Sequence, residues 1–429
     1  MKFFFPDSQD LVDPSFDFER ETRSDERVRQ RDDLYAHEVF DVPPYDGLLV
    51  SKAIVDGTAA NSGKYTLAQR HRLFRLRAHN FFRLPEASPM EIMGDCGAFS
   101  YVAEERPPYT VDEVIDFYLN CDFDAGLSVD HIILQFDRDL DNLLGSEMIP
   151  AGIEERQAIT LELAEEFLHR HRARKCRFAP VGVAQGWSPE SYALAVSALQ
   201  RMGYTRIAFG GLVPLKTADI RSVVERSAAV RGPATQFHLL GVTRIEHIQE
   251  FERFGVTSFD TTSPLRRAFK DDKENYFTPN RSFTAIRVPQ ADGNTKLQRR
   301  IVAGQVDQSL ARRLERTCLQ LLTAYDRNEA PIEGVLEALR SYEAVYDGRT
   351  DRTETYRDVL EARPWDDCPC DICTKLGIHV ILFRGAERNR RRGFHNLYVF
   401  FQRLHKELTA VTPTPAAIKK TSPPARLIK

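Results

Sequence analysis

The chain has 429 residues, 42% of them hydrophobic, and a formal net charge of −3. That is enough apolar material for a large core, as about three domains of ~150 residues or as one α/β barrel of ~250 with appendages. No segment reaches the ~18 apolar residues needed to span a bilayer, and Met1 to Asp7 lacks the long apolar core and cleavage site of an export signal, so the expectation is a cytoplasmic protein with no membrane partner.

Residues 1–47 are polar and charged, with a helix expected from about Asp25 to Val39 and no chemistry assigned; they read as an N-terminal extension. Short apolar runs rich in β-branched residues follow at Leu48 to Val55, Met90 to Gly94, His131 to Phe136, Phe178 to Ala184, Arg206 to Gly210, Phe237 to Val242, Val256 to Phe259 and Phe283 to Val288. Helices between them carry start signals: capping boxes at Thr110 with Glu113 and Thr243 with Glu246, and Ser188 followed by Pro189. The helix from Arg244 to Phe254 puts Ile245, Ile248, Phe251 and Phe254 on one stripe and stops at Gly255. Eight strands alternating with helices favour a closed parallel (β/α)8 barrel over 48–350; a doubly wound open sheet would give the same alternation. Helical patterns from Ala303 to Tyr325 and Ile332 to Tyr346 lead to a metal-binding subdomain and closing helix at 351–408. The remainder, 409–429, with four prolines and basic residues, reads as a flexible tail.

Three of the seven cysteines, Cys368, Cys370 and Cys373, fall within six residues, and His395 follows 22 positions later. Thiolates at that spacing, completed by an imidazole, match the Cys3His shell of Zn2+, and four protein ligands leave no vacancy for a reactive water, so the ion is expected to be structural. The plainer reading is three incidental cysteines beside a surface histidine. The other four, Cys96, Cys121, Cys176 and Cys318, are scattered and read as reduced thiols. From Arg384 to Lys429 eleven Lys/Arg stand against two acids. Its densest part holds Arg388, Arg390, Arg391 and Arg392 interleaved with Phe394, Tyr398, Phe400 and Phe401, and points to nucleic acid, with a solvated basic helix face as the alternative.

Polar residues or glycines stand where the strands stop: Asp95, Asp137, Gln185, Gly210 with Gly211, Gly241, and Asp260. In a parallel barrel these ends open on one face, where active sites of that fold are built. A carboxylate at a strand end is often only a helix N-cap. Two of them facing one pocket, however, can divide labour at a sugar carbon, one attacking C1′ and the other moving protons to and from a base.

The stretches Gly94-Asp95-Cys96-Gly97-Ala98-Phe99, Val183-Ala184-Gln185-Gly186, Gly210-Gly211-Leu212-Val213-Pro214, Leu239-Leu240-Gly241-Val242 and Phe259-Asp260, with the Cys368/Cys370/Cys373/His395 set, occur in that order in the tRNA-guanine transglycosylase family, which this chain resembles from about Met90 to Phe401. The resemblance implies a zinc-bearing (β/α)8 barrel that exchanges guanine in a polynucleotide for a 7-deazaguanine. It implies Asp260 as nucleophile and Asp95 as general acid/base, a base pocket of Asp137, Gln185, Gly210, Gly211, Leu240 and Gly241, and Phe99 stacking on the base. Arg266, with Arg267 beside it, would hold the backbone. Cys96, Ala98, Ser100 and Lys216 depart from the bacterial tRNA enzymes' pattern and imply an altered base pocket.

The N-terminal Phe-Phe-Pro-Asp-Ser-Gln-Asp stretch looks most like the branch that places 7-cyano-7-deazaguanine into DNA. DNA is therefore the expected polynucleotide, with tRNA and the same chemistry as the alternative. A non-catalytic, zinc-stabilised nucleic-acid-binding protein is the reading from another class. Helper proteins and a homo-oligomer remain open.

Overall fold

Eight short parallel strands close on themselves in plain sequence order in a computed structural model that describes residues 1–58, 62–143, 149–270 and 273–410. They are β1 (Lys2–Pro6), β2 (Gly47–Ser51), β3 (Glu91–Asp95), β4 (Ala125–Leu127), β5 (Ala179–Ala184), β6 (Arg206–Phe209), β7 (Gln236–Leu239) and β8 (Val256–Asp260). Side chains alternate across the wall. Phe4, Leu49, Met93, Leu127, Val181, Val183 and Ala208 fill the interior. Phe3, Phe5, Leu48, Val50 and Ile92 point outward into the main core beneath the helices. Gly94 and Gly126 sit side by side on β3 and β4, where a Cβ on either would collide with the Tyr118 ring; that ring lies over the gap and its hydroxyl donates to Leu127 O at 2.9 Å. No helix among the described residues is long and apolar enough to cross a membrane.

The barrel is as expected, but two of its strands are not those read from the sequence. Residues 2–6 belong to the wall: β1 pairs with β8 (Phe3↔Phe259, Phe4↔Asp260) and with β2 (Phe4↔Gly47, Phe5↔Leu48), so the first 47 residues are not a mere extension. Phe3 stacks on Phe259 at 5.4 Å and meets the edge of Phe400 at 5.1 Å, which anchors a strand of only five residues. The fourth strand is Ala125–Leu127, whereas His131 to Phe136 is an irregular loop. Its backbone is held by the Ala151–Ala173 helix: Thr160 Oγ1 accepts from His131 N at 3.0 Å and Arg156 Nη1 donates to Ile132 O at 3.1 Å.

Phe283 to Val288 leaves the barrel. Ser282–Phe283 pairs with Tyr276–Phe277 as a hairpin, and Ile286–Arg287 runs beside Leu382–Phe383. The expected helix from Asp25 to Val39 is only Ala36–Val39, and Arg244 to Phe254 is a 3-10 turn followed by the short helix Ile248–Arg253, without the Thr243 cap. Thr110 and Ser188 do cap their helices, and Ile332–Tyr346 is a helix as expected. The last long helix, Gly385–Thr409, packs on Ser263–Lys270, with Gly393 making room for Leu265. Of the expected tail, 409–429, Thr409 closes this helix and Ala410 follows it, while residues 411–429 lie outside the described residues.

Candidate active site

All eight strand ends, or the loops just beyond them, border one cavity of about 440 Å3. That volume suits a small-molecule ligand. Asp95, Phe99, Gln185, Gly210, Gly211, Leu240, Gly241, Asp260 and Arg266 all line it, so nine residues scattered over 172 positions of chain meet there. A larger cavity of about 900 Å3 opens beside Cys368 and His395, but only one carboxylate, Asp367, lines it. The paired carboxylates single out the smaller one.

Asp95 ends β3. Burial, then the charges of Asp130 and Asp260, push its carboxyl up to about 7, against weaker opposition from the N–H groups of Gly97 and Cys96. Such a group holds and releases a proton near neutrality. Asp260 ends β8 and is held from one side: its Oδ1 accepts from Gly241 N at 3.1 Å and meets His238 Nε2 at 3.3 Å, while Ser258 Oγ lies 2.8 Å from His238 Nδ1. Oδ2 takes no hydrogen bond from a described residue. With the imidazole accepting from Ser258 and donating to Oδ1, one carboxylate oxygen is fixed and the other is left for chemistry.

Asp137 is not in the cavity. It is exposed, its carboxylate accepts from Asp139 N at 2.9 Å, and its own N–H donates to Trp187 O. Asp130, seven residues earlier, occupies the expected place because the strand before it is β4. It is buried, which raises its pKa, and its two oxygens accept from Gln185 Nε2 at 2.6 Å and from the Cys96 thiol at 3.0 Å; Tyr101 OH in turn donates to that sulfur. Cys96 is thus a hydrogen-bonding neighbour of the acid. Gln185 Oε1 accepts from Ile133 N at 3.2 Å.

A Cβ on Gly210 would strike the Gln185 amide, and Gly211, with φ +73°, would strike Ile133 O, so only glycine keeps this corner open. Phe99 and Val213, each about half exposed, offer apolar surface at the mouth. The polar Asp130–Gln185 edge between such walls fits a flat heterocycle with donors and acceptors on its rim.

Sequence reasoning missed Asp130, His238, Ser51 and Asp7. Asp7 and Ser51 follow or end β1 and β2 and line the cavity. His238 lies inside β7 rather than at its end; its only signal was a lone polar residue on the inward face of an apolar run.

The metal candidates do converge. The Sγ atoms of Cys368, Cys370 and Cys373 lie 3.5, 3.5 and 3.3 Å from His395 Nδ1, and all four ligand atoms fall within 4.8 Å of one another. His395 Nε2 is 2.7 Å from Phe277 O and donates to it, so the lone pair sits on Nδ1, facing the sulfurs; Tyr276 stacks on the ring at 4.1 Å. Edges near 3.5 Å are what a tetrahedron with bonds of about 2.0–2.3 Å has. The donor set could hold a metal ion.

The basic helix is largely spoken for. Arg391 is buried against Glu387 at 2.7 Å and Asp13 O, and Arg392 donates to the carbonyls of Ala268, Val380 and Leu382 and to Asn389. Arg384 and Arg388 pair with Glu21. These groups tie helix Gly385–Thr409 to the N-terminal segment and the barrel and are not available to a polyanion. Of Arg388, Arg390, Arg391 and Arg392, expected there to meet nucleic acid, only Arg390 is partly exposed. Arg266 does line the cavity, and Arg267 and Lys270 border a shallow recess beside it.

No protein-family model matches the chain. It is 50% identical over 413 residues to a Salmonella montevideo protein named DNA-guanine transglycosylase, with 95% of this chain and 98% of that one aligned. Identity at that level over 95% of the chain, in a protein whose cavity joins two carboxyls, shows that the chain is an enzyme and belongs to the DNA-guanine transglycosylase family.

Proposed function

We propose that this protein exchanges guanine in DNA for a 7-deazaguanine base, 7-cyano-7-deazaguanine in the first instance, through a covalent glycosyl-enzyme on Asp260. The observation that carries the reading is the pair Asp95 and Asp260 on one cavity, the first poised near neutrality and the second oriented through one oxygen. The name of the Salmonella montevideo protein supports DNA as the polynucleotide.

The target nucleotide first leaves the stack, at a cost of a few kcal/mol that backbone and pocket contacts offset. Its base enters between Phe99 and the glycines of β6, with its edge on Asp130 and Gln185, and Arg266 takes a flanking phosphate. Asp260 Oδ2 forms a bond to C1′ as the C1′–N9 bond breaks, and the electron pair leaves with guanine, which takes the Asp95 proton. After guanine diffuses out, the 7-deaza base binds and gives its N9 proton to Asp95. N9 then attacks C1′ and the Asp260–C1′ bond breaks. Two inversions return the original configuration. One glycosidic bond replaces another, so no ATP is required.

A structural Zn2+ on Cys368, Cys370, Cys373 and His395 would lock the hairpin and the C-terminal helix to each other and take no part in the exchange. The test is incorporation of labelled guanine into duplex DNA and, in parallel, into tRNA. The reading expects label in DNA from the wild type and none from Asp260→Asn; label in tRNA alone would contradict the substrate, and full activity of Asp260→Asn would contradict the chemistry.

A further inference from the structure

Just past the end of β1 the chain runs over the same barrel face as the catalytic cavity, and there it builds a second recess of about 270 Å3 against helix Gly385–Thr409. Gln9, Arg23, Arg27, Arg29 and Arg390 line it, with Asp33 the one acid among the lining residues. Three carboxylates hold the guanidiniums from beneath. Arg23 lies 3.4 Å from Asp13 and 3.0 Å from Glu387, and Arg27 lies 3.1 Å from Asp13 and 2.7 Å from Asp33. Arg391 also rests on Glu387. Five guanidiniums over Asp13, Asp33 and Glu387 leave about two positive charges uncompensated.

The surplus is at the open side. Arg29 is exposed and forms no ion pair with a described residue. Arg390 is partly exposed and comes no closer than 3.8 Å to Glu387. The recess also adjoins the cavity: Gln9 Nε2 donates to Asp7 Oδ2 at 3.0 Å, and Asp7 lines the place where the nucleotide is proposed to bind.

We infer that this recess is a phosphate site for the DNA backbone flanking the extruded nucleotide, so that the N-terminal segment, and not the buried arginines of the C-terminal helix, supplies the second grip on the polynucleotide. It rests on the DNA-acting reading above. A cluster of guanidiniums favours the tetrahedral oxygens of a phosphodiester, and the bond from Gln9 in its wall to Asp7 in the cavity wall favours a backbone phosphate over a free one.

The test is fluorescence anisotropy of a labelled duplex across a salt series. Each phosphate contact contributes roughly −0.9 to the slope of log affinity against log salt. Arg29→Gln with Arg390→Gln should flatten the slope by about one unit, leave the thermal midpoint in place, and add to the effect of Arg266→Gln. An unchanged slope overturns the inference, as does a variant that only unfolds earlier, which would make the cluster purely structural. Inorganic phosphate is the second probe: a thermal rise in the wild type, lost in the double variant, together with an unchanged DNA slope, would assign the site to the free ion. Absence of guanine exchange into DNA by the wild type would instead sink the functional reading, whatever the slope does.

Discussion

Burial is the largest influence on Asp95, and the neighbouring Asp130 charge is the next. Its folded-state carboxyl is therefore pushed up to about 7, well above the 3.8 of a free one, and the acid form that the proposed exchange uses to protonate guanine is lost as pH rises through that value. Single-turnover guanine release, followed by rapid quench, should fall about tenfold per unit on the alkaline side. Asp130→Asn removes one of the two acidic neighbours and should move that limb to lower pH; a limb that stays put would mean that another group supplies the proton. His238→Gln should cost about 1.5–3 kcal/mol of transition-state stabilisation, ~10–100-fold in kcat, by removing the imidazole and leaving Gly241 N alone to hold Asp260 Oδ1. At this scale the sequence was informative wherever a polar residue closed or followed a recognisable apolar run, as Asp95, Gln185 and Asp260 do. Asp130 was hidden because β4 is Ala-Gly-Leu, a strand whose small residues exist to admit the Tyr118 ring and give no signal of their own.

Among the elements, helix Gly385–Thr409 shows how charge in a sequence can mislead. Its arginines read as a surface for a polyanion, yet Arg384, Arg388, Arg391 and Arg392 face inward and are consumed by Glu21, Glu315, Glu387 and backbone carbonyls. Burial brings Arg392 down to about 9, still charged at neutrality. The linear pattern does not separate these arginines from exposed ones: Glu387 lies one turn from Arg391, but Glu21 lies 363 residues from Arg384 and Ala268 lies 124 from Arg392. Arg392→Gln strands several of those carbonyls and should lower unfolding stability by about 3 kcal/mol in urea, while the salt slope of DNA binding stays at the wild-type value. A flattened slope at native stability would return Arg392 to the nucleic-acid surface.

For the whole molecule, closure rests on contacts the linear pattern conceals. The repeating strand-helix rhythm made a barrel legible, but a five-residue Phe-rich start was too short to stand out, and Phe283 to Val288 took its place in the count because both are apolar runs of strand length. Only the pairing of β1 with β8, 256 residues apart, tells them apart. The Cys3His module was legible outright, since ligand chemistry needs few residues at fixed spacing. Metal analysis should find one zinc per chain, and Cys370→Ser should lose it together with part of the ~10–16 kcal/mol such sites contribute on binding, seen as a lower thermal midpoint; unchanged metal content would refute the assignment. The central claim is that Asp260 carries the sugar while the base is exchanged. Its most direct measurement is peptide mass spectrometry of the enzyme quenched during turnover on a guanine-containing oligonucleotide: the account predicts a deoxyribosyl adduct on Asp260 that added guanine discharges and Asp260→Asn lacks, and an adduct on any other residue would contradict it.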